Sequence, residues 1–305
     1  MAREVLLTLR LHRVSAVTCI AAVALLSIGL VGLAGSLRSA AAGCIASDPA
    51  NLRDACLSLS LVGTIGDDAV NRLLPIAGIA PFLLGAVLGA PIVAQERDRH
   101  TALLAWSWSP SRTRWLWASA IPLFAIGLLL SVDLAIVGDV VERAHAPVSD
   151  ASRSMANYAD RGAVLVTRFM FAFMVSLLAG TLLRRTLSAL VVAVATGMLI
   201  AAGLAPATAY WVAPELVAGP QSPIEIYQER MVEPVYVRPD GTRLGLEEGR
   251  AIDPGFDNPA MGRLETYAIP GSRYGDVVFR EAAVTAVLCV AVSAGVVFAL
   301  RRASP

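Results

Sequence analysis

Apolar residues along the chain are gathered into six long runs that contain few or no charges. Each run is about 20 residues or longer, the length at which an α-helix crosses the hydrocarbon core of a bilayer. The pattern therefore predicts an all-α membrane protein with six transmembrane helices. The six runs cover residues 14–36, 73–95, 115–138, 162–183, 186–210 and 278–300.

The first run raises one alternative, a signal peptide that is cleaved near the Ala-rich residues 40–43. An apolar run of this length exceeds a typical h-region, so we favour a transmembrane helix that stays in the protein.

Arginine is concentrated in alternate segments between these runs, and these segments contain only three acids: Glu4, Glu96 and Asp98. Short loops rich in Arg stay on the cytoplasmic side, so both termini are predicted to be cytoplasmic. The largest segment on the opposite side, 211–277 between predicted helices 5 and 6, becomes a large external loop. The arginines are Arg3, Arg10, Arg13, Arg97, Arg99, Arg112, Arg114, Arg184, Arg185, Arg301 and Arg302.

The chain divides into four parts on this prediction: 1–13, 14–210, 211–277 and 278–305. Residues 1–13 have the apolar spacing of an amphipathic cytoplasmic helix, although a short basic tail that sets topology is the alternative. Residues 14–210 hold helices 1–5, and 278–305 hold helix 6 and a cytoplasmic tail. The external part contains a hairpin pattern around Pro239-Asp240-Gly241, which indicates a small subdomain; a flexible acidic linker is equally compatible.

Composition narrows the function. Of the 305 residues, 56% are hydrophobic and 16% are charged, and the net charge of +1 gives no electrostatic case for nucleic-acid binding. All 25 basic residues are arginine. Without lysine the chain has neither the Walker A residue that reaches ATP phosphates nor a Schiff-base nucleophile. If ATP is used, another chain binds it.

The cytoplasmic segment 96–114 places charges before an apolar, Trp-containing stretch that stops at Pro110. This pattern fits a short amphipathic helix at the membrane surface or in the groove of a partner. An interfacial loop whose tryptophans belong to an aromatic belt is the alternative.

Two stretches resemble ABC-2-type transporter permeases, particularly actinobacterial ones. The first is GAPIVAQERDRHTALLAWSWSPSRTRWLWAS, which is similar to the family's Gly-Ala-Pro turn and coupling helix, and the second is RGAVLVTRFMFAFMVSLLAGTLLRRTLSAL at 161–190. His100 departs from the usual small residue before Thr101, and the external loop is larger than typical. The matching positions of the first stretch are Gly89, Ala90, Pro91, Glu96, Thr101, Trp106, Ser109, Arg112 and Trp115.

The resemblance implies a permease subunit of an ATP-driven exporter that pairs with a second permease, identical or homologous, in the bacterial plasma membrane. Cytoplasmic ABC ATPase subunits would bind ATP and Mg²⁺ and push on the coupling segment, so no cofactor is expected in this chain. Helices 1 and 5 would lie at the subunit interface. Membrane lipid would contact the remaining outer surface of the helices. The coupling residues implied are Glu96, Arg99, Thr101, Trp106, Arg112 and Trp115.

Two charges interrupt predicted helices 3 and 4. Asp133 and Arg168 each lie about 8–9 Å below the outer surface at 1.5 Å per residue. Adjacent antiparallel helices would let them pair, which lowers the burial cost of each. The pair is predicted to be a gate or a substrate contact in the outer cavity; a structural ion pair, or simple snorkelling of each charge to the interface, is the alternative.

Cys44 and Cys56 share the first external loop, where an oxidising compartment favours a disulfide, whereas Cys19 and Cys289 are predicted to pack in helices. The scattered histidines predict no metal site. HExxH and paired intramembrane aspartates are absent from the sequence, so no catalytic residues are predicted and an intramembrane enzyme is disfavoured. The remaining alternative to an exporter of hydrophobic or amphipathic molecules is a membrane-anchored sensor or scaffold that presents 211–277 to a partner.

Overall fold

A computed structural model describes most of the chain. The residues it describes are 8, 10–47, 60–98, 111–145, 151–183, 185–218, 230–254 and 260–302.

Six long helices account for the six apolar runs; five of them extend beyond their runs at one or both ends, and the fourth matches its run to within one residue. Five of them are long and apolar enough within the described residues to cross a membrane, whereas α5 qualifies only as a shorter apolar helix over Thr186–Ile200. The structure therefore supports a multi-pass membrane protein with five candidate spans. The helices are α1 Arg13–Ser47, α2 Ser60–Asp98, α3 Arg112–His145, α4 Ala163–Leu183, α5 Thr186–Trp211 and α7 Tyr274–Arg302.

The predicted N-terminal helix over 1–13 falls mostly outside the described residues. The Gly89-Ala90-Pro91 positions, which the resemblance assigns to a turn, lie instead inside the continuous helix α2. Proline is tolerated there because neighbouring helices in a membrane bundle re-satisfy the backbone group that it frees.

Helix α4 is the centre of the bundle and contacts α2, α3, α5 and α7. Its contact with α2 is backbone to backbone, because a Cβ added at Gly85 would lie 2.6 Å from the amide nitrogen of Phe173. A Cβ added at Gly89 or at Gly180 would likewise lie 2.9 Å from a backbone oxygen of the opposing helix. The spacing Gly85-x-x-x-Gly89 thus allows the two helix backbones to approach closely. A Cβ added at Gly29, Gly32 or Gly35 of α1 would meet no atom of another described element within 4 Å.

A four-stranded antiparallel sheet follows α5, with strand order β1-β4-β2-β3. Its strands are β1 Glu215–Ala218, β2 Arg230–Val237, β3 Arg243–Gly245 and β4 Arg263–Ile269, with helix α6 at Leu246–Ile252 between β3 and β4. The sheet adds a β component to a chain that is otherwise helical.

The hairpin predicted around Pro239-Asp240-Gly241 joins β2 to β3, with Tyr236 opposite Leu244. The Gly241 amide donates to the Arg238 carbonyl at 2.9 Å, and Gly241 has a φ of 83°, which glycine adopts without strain. Asp240 accepts from the Thr242 amide at 2.8 Å. The turn residues thus specify the hairpin, as the sequence predicts.

The sheet is fastened to the bundle by a small apolar cluster of Met155, Tyr158, Val212, Ile269 and Val277. These residues come from the segment before α4, the end of α5, β4 and the start of α7. The sheet therefore packs at the end of the bundle where α3 finishes and α4 and α7 begin.

Candidate functional site

Two polar regions lie at opposite ends of the bundle, and the first contains the predicted coupling segment. Helix α2 ends at Asp98 and α3 begins at Arg112, so Glu96, Arg112 and Trp115 are described at the ends of these helices. The Ser111 hydroxyl caps α3 by accepting the Arg114 amide at 3.2 Å. Arg99, Thr101 and Trp106 lie outside the described residues, as does the predicted short helix.

Arg97, beside the predicted coupling residue Glu96, ties this end of the bundle together. Its Nη1 donates to the Thr181 carbonyl at 2.5 Å, within the last turn of α4. A guanidinium at a helix C-terminus satisfies a carbonyl that has no intrahelical partner and interacts favourably with the helix dipole. The end of α2 is therefore anchored to the end of α4.

The second region corrects the predicted Asp133–Arg168 pair. Arg168 forms a salt bridge with Glu281 of α7, with 3.4 Å between Nη2 and Oε1, and donates through Nη1 to the Ala159 carbonyl at 2.5 Å. Asp133 instead accepts from the Ser27 hydroxyl of α1 at 2.6 Å. Residue counts set the depth of a side chain along a helix, but the two side chains leave their helices in different directions.

Glu281 is the residue that the sequence analysis missed. It is fully buried, with 0% exposure, and lies near the start of the last apolar run, inside the helix that pairs with α4. A carboxylate inside an apolar run was the available signal, because such a group needs a partner.

Arg161 fastens the segment before α4 in the same region. It is 1% exposed and uses its whole guanidinium: Nη1 forms a salt bridge with Asp139 at 3.2 Å, Nη2 donates to Ser154 O at 2.6 Å and Nε donates to Ala156 O at 3.2 Å. Its charge also lies 4.6 Å from the centre of the Tyr274 ring, at the start of α7. This arginine thus joins α3, the segment before α4 and α7.

Two half-buried polar residues, Asn157 and Arg230, add contacts at the same end of the bundle. Asn157 donates to Glu142 Oε2 at 3.1 Å, and Arg230 of β2 lies over the Tyr158 ring at 4.9 Å. The described residues at the sheet-side end of the bundle therefore form a network of charges, which suits a structural or gating element.

Asp160 provides a pH-dependent test of this region. Burial raises the pKa of its carboxyl, an effect that the nearby Arg168 charge partly offsets. Since the folded pKa is raised, the ionised form costs stability once the pH rises through that pKa. Asp160→Asn is expected to raise the melting temperature at neutral pH, with the gain shrinking as the pH falls. A gain that grows toward low pH would contradict this; thermal unfolding in detergent at several pH values measures it.

The cysteines separate into two classes. Cys19 and Cys289 are free and buried, which confirms their predicted packing role. The side chains of Cys44 and Cys56 lie outside those that the structure describes, so their disulfide stays a prediction. In the described part of the chain, no three or more His, Cys, Asp and Glu side chains are grouped so that they could hold a metal.

Comparison with known proteins gives one match. Residues 15–209 match the family model described as ABC-2 membrane transporter related. The matched region contains helices α2 to α4, nearly all of α1 and α5, and the whole of segment 96–114. No curated protein and no solved structure matches the chain. Because the family model covers more than half of a chain with several apolar helices, the protein belongs to the ABC-2 membrane transporter related family, whose members are membrane subunits of transporters.

Proposed function

We propose that the chain is the permease subunit of an ATP-driven exporter in the bacterial plasma membrane. Six transmembrane helices would carry a hydrophobic or amphipathic substrate, and a separate ATPase would supply the energy through residues 96–114. The observation that carries this proposal is the family match over 15–209, which includes that segment.

The proposed orientation rests on helix length and arginine placement. Helix α5 has 26 residues, about 39 Å at 1.5 Å per residue, which is long enough to cross as a sixth span. Six crossings put both ends of the chain on one side, together with the arginine-rich ends of α2, α3 and α4. The positive-inside rule makes this side cytoplasmic and the sheet external.

The coupling route uses the anchor at the end of α2. A force applied to segment 96–114 would act directly on Glu96 and Arg97. The hydrogen bond from Arg97 to the Thr181 carbonyl would transmit that force to α4. ATP and Mg²⁺ would be bound by the partner ATPase, so this chain needs no cofactor of its own.

A second permease subunit is proposed to lie against α1 and α5. These helices have open space beside four glycines, so a neighbouring helix can approach closely there. A Cβ added at any of them would meet no atom of another described element within 4 Å: Gly29, Gly32, Gly35 and Gly203. Large exposed apolar side chains elsewhere on α1, α5 and α7 fit contact with lipid or with an apolar substrate.

A second candidate function is supported by the folded sheet. Met231 and Val232 of β2 are exposed apolar residues outside the bundle, as a surface for a partner would require. A membrane-anchored sensor or scaffold would use that surface and would need no ATPase.

Affinity purification from native membranes, followed by mass spectrometry and an ATPase assay, tests the proposal. A soluble P-loop ATPase is expected to co-purify. Glu96→Gln and Arg112→Gln are expected to lower its recovery about tenfold, which corresponds to about 1.4 kcal/mol of interface energy. Arg301→Gln, on the same proposed side but outside the segment, is the matched control. A chain that purifies without an ATPase would contradict the exporter and favour the scaffold.

A further inference from the structure

Helix α4 is fastened by a polar contact near each of its ends. Arg97 of α2 holds the Thr181 carbonyl, and Arg168 forms its salt bridge with Glu281 of α7. At 1.5 Å per residue the two contacts are about 20 Å apart along the helix. Whatever moves α4 at one end therefore acts on α7 at the other.

Helices α2 and α4 form one rigid unit between these contacts. A side chain at Gly85 or Gly180 would collide with the backbone of the opposing helix, and Ser176 of α4 donates to the Gly85 carbonyl at 2.9 Å. Helices that meet backbone to backbone at these glycines resist sliding or separating, since backbone atoms cannot rotate away as a side chain can.

The joint between α4 and α7 is built differently. Cys289 of α7 packs against Phe171 and Val175 of α4, and a Cβ at Gly295 would meet only the end of Leu178, at 3.7 Å. These are ordinary side-chain contacts that can part and re-form. Only residues 270–273 separate β4 from α7, and Val277 of α7 is buried with Ile269 of that strand, so we treat α7 and the sheet as one unit.

The salt bridge across this joint is not fully satisfied. Arg168 Nε and Glu281 Oε2 are both buried and have no hydrogen-bond partner among the described residues. A buried ion pair with unmet bonds is less stabilising than well-packed apolar side chains of similar volume would be. Such a pair is better suited to a joint that must separate than to a joint that must only hold.

We propose that the Arg168–Glu281 salt bridge is a latch that holds the α7–sheet unit against the α2–α4 unit, and that releasing it opens the sheet-side end of the bundle. The assignment of this motion to transport rests on the proposed function. The latch itself does not, because it can be measured without an ATPase or a substrate.

Cys289 is a reporter already present in the joint, since it is 8% exposed and lies eight residues beyond Glu281. Native membranes are treated with N-ethylmaleimide, and the alkylation rate of each cysteine is read from its own peptide by mass spectrometry. Glu281→Gln is expected to speed alkylation of Cys289 about tenfold, while Cys19, which is 6% exposed in α1, keeps its wild-type rate. The tenfold change corresponds to about 1.4 kcal/mol of opening free energy.

Two further variants sharpen the result. Asp276→Asn makes the same kind of change on α7 but affects only an exposed pair with Arg273, so its Cys289 rate should equal the wild type. Arg168→Glu combined with Glu281→Arg should lower the alkylation rate of Cys289 most of the way back to the wild-type value, because the pair is restored with its charges exchanged.

Three outcomes would overturn the latch. Cys289 in Glu281→Gln reacts at the wild-type rate, or Cys19 speeds up equally, or Glu281→Gln and Glu281→Asp both fail to accumulate in the membrane. The last two would make the pair part of what holds the whole fold. Loss of the ATPase in purification, by contrast, would count against the exporter and leave the latch result standing.

Discussion

Arg161→Gln is expected to lower the free energy of unfolding by about 3 kcal/mol, within the range for breaking a buried ion pair. The substitution would leave Asp139 and the carbonyls of Ser154 and Ala156 without their donors, and would remove the charge above Tyr274. Three separate parts of the chain would lose their common attachment. Thermal or denaturant unfolding of the purified protein in detergent measures the change.

Two controls make the Arg161 result specific. Arg161→Lys keeps the charge but cannot reproduce the planar set of donors, so it should recover only a small part of the loss. Arg250→Gln removes an arginine from an exposed pair with Glu247 at 3.9 Å and should change stability by less than about 0.5 kcal/mol. If Arg161→Gln unfolds like Arg250→Gln, the role given to this arginine is wrong.

Gly85→Ala is the second large effect. The new methyl group would lie 2.6 Å from the Phe173 nitrogen and 2.9 Å from the Ala172 carbonyl carbon, and backbone atoms cannot rotate away. Helices α2 and α4 would have to separate, at a cost of about 1–3 kcal/mol typical of overpacking. The Ser176 bond to the Gly85 carbonyl would lengthen with them.

The matched control for this substitution is Gly29→Ala in α1. That glycine has open space around it in the described structure, so the same methyl group should be neutral or slightly stabilising in a single chain. In detergent, Gly85→Ala should therefore melt below the wild type, and Gly29→Ala should melt at or slightly above it. A Gly85→Ala protein that melts with the wild type would disprove the close packing.

The sequence pattern predicts the six helices and the family, but not the four-stranded sheet. Long apolar runs predict helices because a helix satisfies its backbone groups within a single segment, and all six runs are helical. The turn at Pro239-Asp240-Gly241 and the close approach at Gly85 depend on the local geometry of one or two residue types. These features need no knowledge of which helix is the neighbour.

The partners of the buried charges follow from the packing of the helices and not from the sequence pattern. Depth along a helix can be counted from the sequence, and that count suggested Asp133 for Arg168. The direction of each side chain and the order of the helices in the bundle cannot be counted in this way. These determined that Arg168 meets Glu281, more than a hundred positions along the chain, while Asp133 meets Ser27. Ion pairs between helices depend on packing angles that are set by the bundle as a whole.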